Sequence, residues 1–188
     1  FLADLRTRFE AFGLSLHPEK TRLIEFGRHA TEDRKARGLG KPETFTFLGF
    51  THICGKSKRG KFLLWRITRR DRMRERLQAL KDDLRRKMHD SVEDQGRWLR
   101  SVVMGYFAYH AVPTNTDALR AFRSHVLTLW YRTMRRRSQK DRTPWATMQR
   151  LAERWLPKPR VLHPWPNQRF VVKHPRWEPS ARIAPAGI

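Results

Sequence analysis

Apolar residues recur along the chain with changing spacing, which divides it into a mixed first part and a helical second part. Between residues 2 and 12, leucine and phenylalanine recur every three or four positions, which predicts a helix that ends at Gly13. The run from 21 to 26 predicts a short strand. Residues 27–44 carry many charges and no apolar period, so we expect a loop there.

Two β-branched and aromatic stretches between residues 45 and 68 predict a β-hairpin. The strands cover residues 45–54 and 61–68, and the basic segment 55–60 forms the turn between them. Gly49 falls inside the first strand, where a glycine indicates a bulge or the close approach of another backbone.

Helical spacing dominates after residue 68. Apolar stripes predict helices over residues 73–88, 93–111, 114–137 and 143–155. Seven of the eleven prolines lie at or after Pro157, so we expect an extended tail that lies across these helices. The predicted fold class is therefore α+β, a small αβ part with a β-hairpin followed by a mainly α-helical bundle.

The charge of the chain points to a polyanionic partner. The 188 residues include 41 Lys and Arg against 18 Asp and Glu, a net charge of +23, and 30 of the basic residues are Arg. A planar guanidinium binds phosphate oxygens with two hydrogen bonds, so the excess of Arg favours nucleic acid as the partner. The high positive charge repels cationic substrates and excludes them. Aromatic residues make up 11% of the chain, more than a disordered basic tail contains.

Two basic blocks concentrate this charge on the predicted helices. Residues 69–87 contain nine basic and four acidic residues, and residues 132–142 contain six basic residues and one acid. A solvated helix face is the alternative interpretation. Aromatic residues between the basic ones suit stacking on unpaired bases, although each one alone is more often a core residue. These aromatic residues are Trp98, Tyr106, Tyr109, Trp130 and Tyr131.

The sequence contains no complete catalytic constellation. His52 and Cys54 alternate on a predicted strand without a second ligand pair, so a zinc site is disfavoured, and we expect no metal or cofactor in this chain. No apolar run is long enough to cross a membrane, and a single cysteine fits a reducing compartment, so we expect a cytoplasmic protein. Because the chain begins at Phe1 rather than methionine, we expect it to be a piece of a longer protein.

Three stretches together resemble group II intron reverse transcriptases, also called maturases. Residues 13–21 followed by Phe26 resemble the late palm motif, and residues 47–50 resemble the hairpin that closes the palm. Their order and spacing carry the resemblance, which covers about residues 1–142. The remaining matches, to the maturase-specific thumb or X domain, are residues 98–103, 106–113, 122–123 and 129–132.

The resemblance implies a division of the chain and a function. Residues 1–68 would be the end of a reverse-transcriptase palm, 69–142 the maturase thumb, and 143–188 a terminal helix and Pro-rich tail. Members of the family bind group II intron RNA, assist its splicing and copy RNA into DNA on a template–primer duplex. The Tyr-Ala-Asp-Asp motif that holds Mg²⁺ lies upstream of the matched residues, so this segment alone should not polymerise.

The resemblance also assigns roles to single residues. Lys20 matches a lysine proposed to protonate the leaving pyrophosphate, with an ordinary surface lysine as the alternative. The primer-grip-like residues are Phe47, Leu48, Gly49 and Phe50. The expected nucleic-acid-binding residues are Arg69, Arg70, Arg72, Arg76, Lys81, Arg85, Arg86, Arg100, Arg123, Arg132, Arg135, Arg136 and Arg137.

The chain departs from the family pattern after the predicted thumb, and one alternative function stays open. The chain after Arg142 has no cysteine pairs and no cluster like that of an HNH endonuclease, which many family members carry after the thumb. A general basic nucleic-acid-binding protein without a polymerase context is the alternative function, and it predicts no preference for intron RNA over an unrelated duplex.

Overall fold

The computed structural model describes residues 1–138 and 142–165, and over these ranges the chain has six helices and three strands. The strands form one antiparallel sheet in the order β1-β2-β3. The predicted α+β class is confirmed. In chain order the elements are α1 (Leu2–Glu10), α2 (Ala30–Ala36), β1 (Phe45–Phe47), β2 (Phe50–Lys56), β3 (Phe62–Thr68), α3 (Arg70–Arg86), α4 (Val92–His110), α5 (Thr116–Arg136) and α6 (Trp145–Trp155).

The described residues form two compact units, one of residues 1–45 and 52–64, the other of residues 46–51 and those from 65 onward. In the first unit, α1 forms where the apolar spacing predicts it, and Gly13 follows it with a φ of +69°. A left-handed conformation of this kind favours glycine after a helix.

Two predictions in the first unit are wrong. Residues 21–26 form no strand, and the predicted loop 27–44 contains α2. Helix α2 has acidic residues in its first turn and basic residues in its last, which suits the helix dipole. Glu25 pairs with Arg34 at 3.6 Å and also with Arg37, so the segment before α2 is held by side chains of that helix and not by a neighbouring strand.

The predicted first strand of the hairpin is two strands. Between β1 and β2 lie only Leu48 and Gly49, with φ angles of +47° and +76°. Positive φ at both central residues is the mark of the type I′ turn that joins neighbouring antiparallel strands. Gly49 is therefore a turn residue, and the predicted bulge within one continuous strand is wrong. The predicted pairing of the two stretches on either side of the basic segment is confirmed, because β2 pairs with β3.

Helices α3 to α6 form a bundle in the second unit, which confirms the four helices predicted there. Their shared core contains large apolar side chains from every helix. The fully buried members of that core include Leu80, Leu84, Leu99, Val103, Leu119, Phe122, Val126, Trp130 and Met148.

Buried polar side chains fix how the elements of the second unit meet. Asn115 lies at the N-cap position of α5, but its side chain makes no capping hydrogen bond. Instead its Oδ1 accepts a hydrogen bond from the Thr68 backbone N–H at 2.9 Å, and its Nδ2 donates to the His110 carbonyl at 2.8 Å. The Trp130 indole N–H donates to Gln95 Oε1 at 2.8 Å. Trp130 is thus a core residue and not a surface platform for bases.

The chain after α6 has no regular structure as far as Trp165. The backbone N–H groups of Leu162 and His163 donate to the Ala111 carbonyl at 2.9 and 3.2 Å, so this part of the predicted tail lies against the end of α4. Residues 166–188, which hold Trp177 and most of the predicted tail, and residues 139–141 within the second basic block lie outside the described ranges.

Candidate nucleic-acid interface

A groove of about 590 Å³ runs between α3 and α5. On α3, Arg70, Arg74 and Lys81 occupy positions i, i+4 and i+11, which fall on one face of a helix. Arg132 contributes a fourth cation from α5, and the floor is apolar. The apolar floor residues are Met73, Leu77 and Leu129. We call this feature the α3–α5 groove.

The α3–α5 groove carries positive charge that no acidic residue neutralises. No Asp or Glu lines it, and none of its four cations forms an ion pair within residues 1–138 and 142–165. Three acids of α3 pair with cations outside the groove: Asp71 receives a hydrogen bond from Arg69 at 3.0 Å, Glu75 pairs with Arg72 at 3.1 Å, and Asp83 pairs with Arg86. The fourth, Asp82, accepts a hydrogen bond at 3.2 Å from the amide of Gln78, a lining residue of the groove. The Arg69 side chain lowers the pKa of the Asp71 carboxyl below its usual value. The groove therefore attracts anions.

The structure divides the predicted nucleic-acid-binding residues by what their side chains contact. Three are ion-paired on the surface, namely Arg69, Arg72 and Arg86. Arg135 lies over the Tyr131 ring, with its Cζ 5.8 Å from the ring centre. Within the described part of the chain, those without an ion pair are Arg70, Arg76, Lys81, Arg85, Arg100, Arg132, Arg135, Arg136 and Arg137.

Two arginines of the predicted set serve the packing of the bundle. The Arg123 side chain is 18% exposed and donates to the carbonyls of Ala152 at 3.0 Å and Leu156 at 3.3 Å. Arg137 donates to the Asp90 carbonyl at 3.0 Å. Neither residue lines the α3–α5 groove. Arg74, which does line it, is absent from the predicted set, although its spacing of four residues from Arg70 signals that the two share a helix face.

The turn at Leu48 and Gly49 is held by the bundle of its own unit. The Tyr109 hydroxyl donates to the Leu48 carbonyl at 2.7 Å, and the Arg69 backbone N–H donates to the Gly49 carbonyl at 3.1 Å. Phe50 stacks on Tyr109 with ring centres 5.7 Å apart. The turn is thereby fixed in place, while the Leu48 side chain remains 66% exposed.

Beside this turn lies a second basic pocket of about 510 Å³, which Arg72 and Arg76 line together with Leu48 and Gly49. His110 also lines it, and burial lowers the pKa of its imidazole, so this ring is neutral at neutral pH. Arg72 is paired with Glu75, so the unpaired positive charge of the pocket comes from Arg76. Two of the predicted primer-grip-like residues, Leu48 and Gly49, thus lie next to basic side chains of α3, whereas Phe47 and Phe50 do not line the pocket.

Tyr106, which also lines this pocket, is packed among aromatic rings. Its ring stacks on Phe122 at 3.6 Å and on His110 at 4.0 Å between ring centres. Burial raises the pKa of Tyr106 to about 12, and its hydroxyl makes no hydrogen bond within the described residues. Tyr106 is 7% exposed, so it packs the core and offers no free face to a base.

The other candidate residues belong to the first unit. Lys20 is exposed in a turn over residues 18–20, and its catalytic role stays a prediction. Cys54 Sγ accepts a hydrogen bond from the Gly27 N–H at 3.4 Å, and His52 stacks on Phe45 at 4.7 Å. Nowhere in residues 1–138 or 142–165 do three potential metal-ligating side chains come together.

The described helices show no segment that combines the length and the apolar character of a membrane span. Comparison of the chain with models of known protein families finds no match, and comparisons with curated proteins and with solved structures find none either. The function of this chain therefore has to be inferred from its own side chains and their geometry.

Proposed function

We propose that the chain is the RNA-binding maturase segment of a group II intron-encoded reverse transcriptase, and that it assists folding and splicing of the intron RNA. The observation that carries the proposal is the α3–α5 groove, in which Arg70, Arg74, Lys81 and Arg132 converge without an acid. Such a groove suits a phosphate backbone. The resemblance to the family supports group II intron RNA as the particular polyanion.

The basic residues of the groove are spaced along α3 widely enough to contact several phosphates of one strand. At 1.5 Å per residue, the distance along α3 from Arg70 to Lys81 is about 17 Å. The phosphates of one strand of B-form duplex advance about 3.4 Å each along the axis, so this distance corresponds to several phosphates. Contacts of this kind position RNA on the protein and do not read its sequence. Recognition of a particular intron would then come from RNA shape or from other residues.

In the full-length protein the same bundle would help to hold the RNA template–DNA primer duplex. The exposed Leu48 turn beside Arg72 and Arg76 supports this part of the proposal, because apolar and basic groups there can contact bases and backbone together. Catalysis of DNA synthesis would require the upstream carboxylates and their Mg²⁺, with Lys20 as an accessory proton donor.

Filter binding at two salt concentrations tests the proposal. If four groove cations each neutralise one phosphate of a duplex, affinity falls about 150-fold between roughly 50 and 200 mM salt, and about 50-fold if they contact a single strand. We expect tighter binding to structured group II intron RNA than to an unrelated duplex of equal length. Affinity that does not depend on salt would refute RNA binding by the groove. Equal affinity for the two RNAs would favour the general basic nucleic-acid binder instead.

A further inference from the structure

A further cavity, separate from the two basic ones, lies between α4 and α6. It has a volume of about 470 Å³, within the range of roughly 300–1,000 Å³ that is usual for ligand sites, and shares no lining residue with the α3–α5 groove. Its wall is apolar, formed mainly by Met104, Phe107, Trp155 and Leu162. We call it the α4–α6 pocket.

The wall of the α4–α6 pocket includes apolar side chains that solvent reaches. Met104 is 52% exposed and Leu162 is 47% exposed. Burial of such surface against a partner gains about 25 cal/mol per Å². An exposed apolar depression with a polar border is typical of a binding site.

The border of the pocket is cationic. Arg100, Arg154, Lys158 and Arg160 surround it, together with the acid Glu153, and Arg154 is paired at 3.5 Å with Glu93, which does not line the pocket. Glu153 is itself neutralised, because Lys158 lies 2.7 Å from its carboxylate and lowers its pKa. Arg100 and Arg160 form no ion pair within the part of the chain that the structure describes. An apolar wall with such a border complements a ligand that is apolar in the middle and acidic around it.

The aromatic rings of the wall favour a peptide over a flipped base. Phe107 is almost fully buried. The Trp155 ring lies so close to Gly96 that a Cβ there would come within 2.6 Å of it, and the Arg154 guanidinium carbon is 5.1 Å from the ring centre. A base gains most from stacking on a free ring, whereas an aliphatic or aromatic side chain needs only an apolar wall.

The charge of residues 166–188 makes this segment of the chain an unsuitable occupant of the α4–α6 pocket. Residues 166–188 contain four basic residues and one acid, so their charge has the same sign as the border formed by Arg100 and Arg160. We infer that the α4–α6 pocket binds an acidic segment of a partner protein, which inserts one or two large apolar side chains against Met104 and places carboxylates beside Arg100 and Arg160. The inference goes beyond the proposed function, because it adds a protein partner to an RNA-binding segment.

Methyl resonances of methionine provide a test that separates this site from the groove. Of the five methionines, Met104 lines the α4–α6 pocket and Met73 lines the α3–α5 groove. The probe is a short helical peptide with Leu and Trp three or four residues apart on one face and Glu elsewhere. We expect it to shift the Met104 methyl signal saturably and to leave the Met73 signal in place.

Matched peptides and variants exclude attraction by net charge alone. A peptide with Lys in place of Glu, and one with Ala in place of Leu and Trp, should not shift the Met104 signal. The double variant Arg100→Gln and Arg160→Gln should bind the acidic peptide about tenfold more weakly. The control Arg97→Gln and Arg120→Gln removes the same charge from exposed residues that pair with Asp94 and Asp117 outside the pocket.

Four results would overturn the inference. The first is that the acidic peptide causes no saturable Met104 shift up to about 1 mM, and the second is that the Lys peptide binds equally well. The third is that the two double variants weaken binding equally, and the fourth is that an RNA hairpin shifts Met104 as the acidic peptide does. A shift of Met73 by RNA without any peptide effect on Met104 would leave the proposed RNA-binding function standing and refute the partner site alone.

Discussion

Removal of two groove cations should lower the salt dependence of RNA binding by an amount that the geometry specifies. In the variant Arg74→Gln and Arg132→Gln, two of the four unpaired cations of the α3–α5 groove lose their charge but keep hydrogen-bonding side chains. Each phosphate neutralised on a duplex contributes about 0.9 to the slope of log affinity against log salt. The groove contribution should fall from about 3.6 to about 1.8.

In the unchanged protein, the groove makes the affinity fall about 150-fold between roughly 50 and 200 mM salt. In the double variant, the corresponding fall should be only about 12-fold. Other basic residues add to the total slope, so the difference between the two proteins is the quantity to measure. Filter binding over several salt concentrations gives both slopes. Circular dichroism confirms that the variant is folded, which is expected because Arg74 and Arg132 are exposed.

A matched control makes the result specific. Arg97 and Arg120 each pair with an acid at 2.7 Å on the surface and line neither cavity, so Arg97→Gln and Arg120→Gln removes the same two charges elsewhere. Surface pairs of this kind contribute little to stability, so this variant should also remain folded. If the control lowers the slope as much as the groove variant does, binding depends on net charge and the groove is not the interface.

Three further predictions concern the bundle. Gly96→Ala should destabilise it by about 1–3 kcal/mol despite the higher helix propensity of alanine, because the new Cβ would lie 2.6 Å from the Trp155 ring. Thermal unfolding should show a lower midpoint, and an unchanged midpoint would contradict this packing. Asn115→Ala leaves the buried Thr68 backbone N–H without its acceptor, so denaturant unfolding should show a loss of about 1–3 kcal/mol. Ultraviolet titration should show a tyrosine step at a pH of about 12 that Tyr106→Phe removes.

The helices of the bundle could be predicted from sequence because each has an apolar stripe several turns long. Helix α2 has only seven residues and no such stripe, and its ion pairs with Glu25 involve a segment that precedes it in the chain. The turn at Leu48 and Gly49 was missed for another reason. Its first central residue is leucine, whereas Asn, Asp and Gly are the usual residues at positive φ in such turns.

The basic character of the candidate site could be read from sequence, but the roles of individual arginines could not. Arg123 hydrogen-bonds carbonyls 29 and 33 residues further along the chain, which depends on how α5 packs against α6. Arg72 finds an acid one turn away at Glu75, whereas Arg70 and Arg74 lie on a face without one. Tertiary packing and local pairing therefore select which cations remain available for a polyanion.

The position of bound RNA on the bundle tests the central claim most directly. We propose to titrate the methionine-methyl-labelled protein with a short hairpin from a group II intron at about 0.15 M salt and to follow the five methyl signals. RNA in the α3–α5 groove should shift or broaden the Met73 signal and leave Met104, in the α4–α6 pocket, unchanged. An unchanged Met73 signal at saturating RNA would contradict the assignment of the groove as the RNA-binding surface.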